Sequence, residues 1–587
     1  MENIRNDLLR KNSIDAYCKM ITFFEDPIRT NIDDVIESLD EELQNKLICE
    51  LNALRQFYKE NRNLYDEEYK YGQAIIWQEV LFAYNSMVVA SQKIANGTLC
   101  PDISNYSIAA KDIARVLNYY AEMQIALSNL EQVLGVDRFL DRISRTTFDV
   151  LEEMLKKEKS DIEEKTNRYK SFFQQKWNTT NIHKLIRHKL VSPDNENQIC
   201  DLSQSGCKEL ILFVIDGFGY SQYLWNRGCD INRKNYTFNE NIFYWMSREN
   251  LSHEYILGSS YITDTGAGLA QIFLGQMPGE TGIIASKIWK RGGEKTFYSA
   301  KTISPIEYDS LFLYKNSITD IISLYEKPVT VYYCSKYQEP PSGFSKCIFK
   351  SANIKQVLPS ERVFSILLDD ISAGEETGLK VVYLTGIDNS GHTMGAYSNF
   401  ERYEHQKISY LFRNFLIELA NNNPSYFDGT RSILITADHG MFESSKKIIS
   451  RTEITDYLSN AGINHVKQVE NNRAMLFYNE GFNTNKEIKT CLEQFFKEKQ
   501  LHVEVQDKDV DSYSHCLDNC EYGLMPDLIA RFVGEGLFYT NLHHNAHLLH
   551  FGGHGGYSID EVFVPLIEIP LDEKLFNTIQ KRFLSRK

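Results

Sequence analysis

Helix-breaking residues are scarce in the first third of this 587-residue chain. Of 32 glycines only Gly72, Gly97 and Gly135 lie before residue 200, and of 13 prolines only Pro27, Pro101 and Pro193. A stretch short of breakers and rich in Leu, Glu, Lys and Tyr reads as helix. Apolar residues support this, with Ile36, Leu39, Leu43, Leu47, Leu51 and Leu54 recurring every three or four positions behind a capping Thr30 or Asn31. Longer helices are predicted from Ile108 to Leu134 and from Phe139 towards Lys176, the latter carrying a mixed-sign face over Glu152–Arg168 that suits solvent or a protein partner. Residues 1–195 are therefore read as an all-helical domain for partner binding or regulation. The polar segment 196–207 is its linker to the rest.

Other absences narrow the function. The chain has no run of eighteen apolar residues, which excludes a predicted membrane span. Its start, Met1-Glu2-Asn3-Ile4-Arg5, lacks the apolar core of a secretory signal. The 11 cysteines are an odd number without regular spacing, so a disulfide framework is not expected and a cytoplasmic, reduced setting is. Cys516 and Cys520, four apart, read as ordinary thiols. Excess positive charge is also missing: 64 Lys and Arg against 79 Asp and Glu give a net charge of −15. Nonspecific binding to nucleic acid through the field of the whole protein is thereby disfavoured. One local exception is the basic run from Lys287 to Lys295, either a solvated loop or a clamp on an anionic substrate, with Lys287 the candidate substrate-binding residue.

Beyond residue 208 the pattern changes. Apolar, β-rich runs at 209–215, 329–334, 380–386, 432–437 and 562–569 alternate with helical stretches, which predicts an α/β fold with a largely parallel sheet sandwiched by helices. Three of these runs deliver an acid near the carboxyl end of a strand, where ligands of open α/β sheets collect. They are Ile211-Leu-Phe-Val-Ile-Asp216-Gly, the run leading into Ile387-Asp388-Asn-Ser-Gly-His392, and Ile433-Leu-Ile-Thr-Ala-Asp438-His439-Gly. Thr263-Asp-Thr265-Gly-Ala-Gly and Phe551-Gly-Gly-His554-Gly-Gly complete the set.

Together these segments offer Asp216, Asp388, His392, Asp438, His439 and His554, enough for two three-residue sites for divalent ions, plus a hydroxyl. Carboxylate oxygens and imidazole nitrogens are the donors of a zinc-type site, with manganese or magnesium as alternatives. Phosphoester hydrolysis needs such a pair of ions, ~4 Å apart, to ionise a nucleophile and to stabilise the leaving oxygen. Thr263 and Thr265 compete as the hydroxyl. Thr265 is favoured because Gly266, Ala267 and Gly268 after it permit a tight turn and close approach of substrate.

In their order these motifs resemble the alkaline phosphatase superfamily, over roughly residues 208–570. Nucleotide pyrophosphatase/phosphodiesterases and PglZ-type phosphatases are among its members. The resemblance implies an alkaline phosphatase-like core at 208–587, with inserts at about 286–380 and 441–550 acting as caps. It implies that Asp216, Asp438 and His439 hold one ion together with Thr265, while Asp388, His392 and His554 hold the other. Thr265 would be the nucleophile, followed by the Gly275 … Pro278-Gly … Gly282-Ile283 rhythm, and the Gly266 amide would point at the phosphoryl group. His554-Gly-Gly … Glu561 … Pro565 is similar to the ending of PglZ-type domains, with Glu561 bracing a turn. The Cys-x-Pro-x-Arg-like motif of sulfatases is absent. Only 122 residues separate Thr265 from Asp388, too few for the inserted domain of cofactor-independent phosphoglycerate mutases. The implied enzyme is a two-metal phosphohydrolase acting on mono- or diesters, including nucleotides or nucleic-acid ends, through a phosphothreonine intermediate. The alternative is a PglZ-like subunit of an anti-phage defence complex, serving as scaffold or sensor through its helical domain.

Overall fold

The computed structural model describes residues 94, 103–136, 143–191, 206–227, 241–290, 293–296, 316–334, 343–374, 378–443, 447–508, 525–539 and 551–584. The apolar stripe at 36–54, residues 196–205 of the linker and the Cys516–Cys520 pair lie outside them.

Two long helices open the described chain, α1 over Tyr106–Val136 and α2 over Ile143–Lys176. Their extents match the breaker-poor sequence to within a turn. Residues Ala114–Lys165 fall in one compact unit, whose interior holds Val116, Leu117, Tyr120, Met123, Leu155 and Ile162. Asp102–Ile113, Thr166–Gly228 and Asn239–Lys587 form a second. The last turns of α2 and the short α3, Thr180–Leu190, thus belong with the second unit. There Phe173 meets Phe563 edge-on at 5.5 Å, and the Gln174 amide donates to Ser260 O at 2.7 Å.

The second unit is built on a seven-stranded sheet. Its strands are β1 (Glu209–Ile215), β2 (His253–Gly258), β3 (Val329–Cys334), β4 (Asn353–Gln356), β5 (Leu379–Leu384), β6 (Arg431–Thr436) and β7 (Phe563–Pro570). The spatial order is β2-β7-β6-β1-β5-β3-β4. Strands β6, β1, β5, β3 and β4 run parallel, and β7 is antiparallel to both β6 and β2. Every residue of β1, β3 and β5 is buried, as expected of parallel strands covered on both faces by helices. The predicted α/β fold, a largely parallel sheet flanked by helices, is what the chain adopts. Strands β2 and β4 escaped sequence reading because they are edge strands with partly exposed, mixed residues such as His253-Glu-Tyr and Asn353-Ile-Lys-Gln.

The 441–550 insert contributes a second, antiparallel sheet of residues 466–471, 474–479, 528–532 and 503–507. It carries its own core of Ile454, Leu458, Phe477, Ile488, Leu492, Phe495 and Phe532. Within 286–380, by contrast, only the hairpin Lys287–Lys290/Gly293–Thr296 stands outside the main sheet among described strands, since β3 and β4 belong to it.

Candidate active site

Register brings the acids together. Ile215 of β1 lies opposite Leu384 of β5, and Val214 lies opposite Thr436 of β6, so three adjacent parallel strands end side by side. Asp216 follows β1 directly, at a turn closed by Gly217 with φ +76°. A side chain on Gly217 would meet the Asp388 backbone at 2.9 Å, so only glycine lets the two loops touch. Asp388 is not at the strand end itself. It lies in the first turn of helix α5, Gly386–Met394, which starts two residues after β5 and carries His392 one turn on, so the two share a face. Asp438 and His439 follow β6 after a single alanine.

The nucleophile candidate arrives from a different element. Helix α4, Thr265–Leu274, is capped by Asp264, whose side chain accepts from Gly266 N at 2.9 Å and from Ser286 Oγ at 2.6 Å. The Gly266 amide, which the resemblance directs at a phosphoryl group, instead donates to the Asp264 cap. Gly268, one turn into α4, packs on Asp438, where a Cβ would come within 2.6 Å of its carbonyl oxygen. The helix start is thereby pressed against the β6 loop, and Thr265 Oγ1 comes to lie 3.0 Å from Nε2 of His439.

His439 is the centre of the arrangement. Its Nε2 lies 3.4 Å from Asp216 Oδ1 and 3.7 Å from Asp438 Oδ2. Its ring stacks on that of His554 at 3.9 Å, and His554 in turn meets His392 at 4.9 Å. Asp388 Oδ1 is 3.3 Å from His392 Nε2 and 3.7 Å from His554 Nε2. Asp216, Asp438 and His439 form one group whose ligand atoms all lie within 4.8 Å of one another; Asp388, His439 and His554 form another. All six sequence-predicted metal ligands and Thr265 therefore converge.

Hydrogen bonding shows which atom of each ligand is left for an ion. Each imidazole directs Nδ1 at a backbone carbonyl: His392 at Gly552 O (3.1 Å), His439 at Gly440 O (3.0 Å) and His554 at Thr263 O (2.9 Å). A carbonyl only accepts, so the proton sits on Nδ1 and the Nε2 lone pair faces the cluster. Asp438 Oδ1 accepts from the amides of Gly217 and His439, and Asp216 Oδ2 accepts from the Tyr383 hydroxyl. Asp216 Oδ1 and Asp438 Oδ2, both buried, accept no hydrogen bond. Buried carboxylate oxygens without donors, beside imidazoles presenting lone pairs, are the donor set of a divalent-cation site.

Electrostatics agree. Burial, then the proximity of Asp438 and Asp388, raises the Asp216 carboxyl well above its usual range; burial and Asp388 do the same to Asp438. Burial lowers His439 to about 3 and, with the neighbouring imidazoles, lowers His554 well below its normal value. For His392 burial also opposes charge, but the Asp388 carboxylate overrides it and the net shift is upward. A cation placed among these groups reverses the repulsion between the acids and uses the neutral imidazoles of His439 and His554 as they stand.

Thr263 and Lys287 are placed less centrally. Thr263 Oγ1 donates to Gly556 O at 3.1 Å and accepts from Gly555 N at 2.9 Å, which ties it to the His554 loop. Lys287 extends from the hairpin to pair with Glu470 at 3.0 Å. Burial raises the carboxyl of nearby Asp264, an effect opposed first by the hydrogen bond from Ser286 and to a smaller degree by the Lys287 charge. Glu561 braces a turn, as expected: it accepts from Gly556 N and Ser558 N and pairs with the buried Arg473. Sequence reading missed Tyr383 and Arg473. A lone tyrosine hydroxyl in the buried run Val381-Val382-Tyr383-Leu384 was the available signal, because such a group needs a partner.

Comparison with known proteins gives the family. The chain is similar in structure to murine ectonucleotide pyrophosphatase / phosphodiesterase 5, with a TM-score of 0.45 and 14% identity over 61% of this chain and 87% of that one. Phosphonoacetate hydrolase from Sinorhizobium meliloti gives a TM-score of 0.46 and 13% identity over 64% and 96% of the two chains. No curated protein matches. The model of the type I phosphodiesterase / nucleotide pyrophosphatase family matches residues 210–558, more than half of the chain, across all of the segments that meet at His439. The chain belongs to that family, and with it to the metal-dependent hydrolases of the alkaline phosphatase superfamily.

Proposed function

We propose that this protein hydrolyses phosphodiester or pyrophosphate bonds at a two-ion site, with Thr265 as the nucleophile. One observation carries the reading: Thr265 Oγ1 lies 3.0 Å from His439 Nε2, on the side of the ligand cluster where that imidazole presents its lone pair. When bound, two divalent ions would neutralise the phosphoryl oxygens and favour the ionised form of a hydroxyl between them. Asp216, Asp438 and His439 would hold the ion nearer Thr265; Asp388, His392 and His554 would hold the other. Three imidazole nitrogens and three carboxylates favour zinc, with manganese next.

The protein's own groups supply positioning. Asp264 fixes the start of α4, and the Gly268 contact holds it to Asp438, so Oγ1 faces the ligands without rearrangement. Thr265 Oγ1 forms the new bond to phosphorus as the bond to the departing oxygen breaks in line, so the phosphoryl group on Thr265 keeps the substrate's other substituent. Water then cleaves the Thr265 ester, releasing the substituted phosphate and regenerating the hydroxyl. A likeness to PglZ-type domains, and an intracellular setting for the chain, belong to the same reading; the first rests on the His554 … Glu561 … Pro565 run. Against a role as scaffold alone stands the ligand set, in which every imidazole is oriented by its own carbonyl.

The test is turnover of paired chromogenic phosphate monoester and diester substrates by metal-stripped protein, with zinc, manganese or magnesium restored singly. Diester cleavage that returns with one metal, together with acid-quench trapping of Thr265 esterified to the substrate's substituted phosphoryl group, is the expected result. Two bound ions without turnover of either ester, or full turnover by Thr265→Ala, would remove it.

A further inference from the structure

Asp216, Asp438, His392, His439 and His554 each have one atom held by the protein and one directed at the other ligands. The holding groups differ in kind. For Asp438, and for all three histidines, they are backbone amides or carbonyls. For Asp216 the holder is a side chain: the Tyr383 hydroxyl donates to Oδ2 at 2.5 Å, leaving Oδ1 without a donor and 3.4 Å from His439 Nε2. Tyr383 is placed for this by sheet geometry. It pairs with Val214 across β1 and β5, so its ring runs beside the end of β1 and the hydroxyl reaches the next loop residue but one. The ring is locked by burial and by its contact with Tyr333 at 5.5 Å.

We infer that Tyr383 is a positioning residue which makes Asp216 a one-oxygen ligand and thereby sets both the affinity and the size preference of the ion it shares with Asp438 and His439. This rests on the two-ion reading above. With Oδ2 committed to a hydroxyl, Asp216 offers only Oδ1. A site of one-oxygen carboxylates and an imidazole suits a small ion of low coordination number, whereas larger ions such as calcium take six to eight oxygens and use two-oxygen carboxylates. Removing the hydroxyl frees Oδ2 and lets the carboxylate rotate or bind through both oxygens.

The experiment is metal titration of the full-length protein, followed by calorimetry and by the ion-induced shift of the melting temperature. Tyr383→Phe is compared with wild type and with Tyr332→Phe. Tyr332 is a fitting control: it lies on adjacent β3, and its hydroxyl donates at 2.5 Å to Asp370, which is not one of the six ligands. Tyr383→Phe is expected to bind zinc 10- to 100-fold more weakly at one of two sites, the usual effect of losing a group that holds a ligand. Its ratio of zinc to calcium affinity should fall, while Tyr332→Phe keeps both wild-type values. A Tyr383→Phe protein with wild-type affinities and ratio, while the wild type binds two ions, overturns the inference alone. An equal loss of zinc affinity in both variants overturns it as well, by assigning the effect to lost core stability. A wild-type protein that binds no divalent ion overturns the two-ion reading on which it stands.

Discussion

Across 291 residues of sequence, the carbonyl oxygen of Thr263 accepts a hydrogen bond from Nδ1 of His554 at 2.9 Å. That contact separates the two hydroxyls that sequence alone left in competition. Thr263 gives its carbonyl and its Oγ1 to the His554 loop, whereas Thr265 presents Oγ1 to His439. Thr265→Ala is therefore expected to lower turnover by roughly 10³-fold or more while both ions still bind. Thr263→Val should keep the nucleophile but loosen His554, so the loss appears first in metal affinity. Steady-state kinetics alongside metal titration of both variants tells the two roles apart; turnover surviving in Thr265→Ala would reverse the assignment.

The His554 loop has a second brace. Arg473 is wholly buried and donates through Nε to Glu561, through one terminal nitrogen to Gly536 O and through the other to Gly534 O, while its backbone N–H donates to His554 O. Removing one member strands the other charge in the interior, a cost of about 3–5 kcal/mol. Arg473→Met should show that loss in denaturant unfolding. The double variant Arg473→Met with Glu561→Met should lose less than the two single changes added together, by about 1 kcal/mol or more. Strict additivity would mean that the pair is not coupled.

Residue type and order carried a great deal of this site. Asp216, Asp438 and His439 were legible because polar groups that end an apolar strand have no core role, and parallel strands must present such ends together. What stayed hidden depends on contacts distant in sequence. Nothing in the spacing shows that Gly266 N is engaged by Asp264, because Asp264 and Thr265 are both able to cap a helix. Nor does it show that Lys287 meets Glu470, 183 residues away, on an antiparallel sheet whose strands lack any motif. The edge strands β2 and β4 were missed for a related reason: half-exposed strands lose the apolar run that marks β1 and β5.

Part of the acid sensitivity should come from a histidine outside the ligand cluster. His405 lies in the second unit beside Phe218, ring centroids 5.2 Å apart, with Nε2 buried and unbonded. Burial lowers it to about 3 from a normal 6.5, so between those values the unfolded chain binds a proton that the folded chain does not. Its contribution to stability is full above pH 6.5 and is lost as pH falls towards 3, by at most about 1.4 kcal/mol per pH unit. His405→Phe should flatten this limb without altering the metal ligands. Urea unfolding at pH 7 and pH 4.5 measures the slope, and an unchanged slope in the variant would place the acid sensitivity elsewhere.

Replacing one of the crowded acids should have opposite effects with and without metal. In the metal-free protein, burial and Asp388 both disfavour a charged Asp438, so Asp438→Asn removes a repulsion and should raise stability at neutral pH by on the order of 1–3 kcal/mol. With zinc present the same change deletes a ligand oxygen, the free Oδ2. Wild-type protein gains about 4.1 kcal/mol from an ion supplied at one thousand times its dissociation constant, and the variant forfeits most of that gain. Melting temperatures measured in chelator and in zinc should therefore cross: the variant melts above wild type in the first and below it in the second. A variant that melts below wild type in both would show that Asp438 serves the fold through its backbone-facing Oδ1 more than it serves the ion through Oδ2.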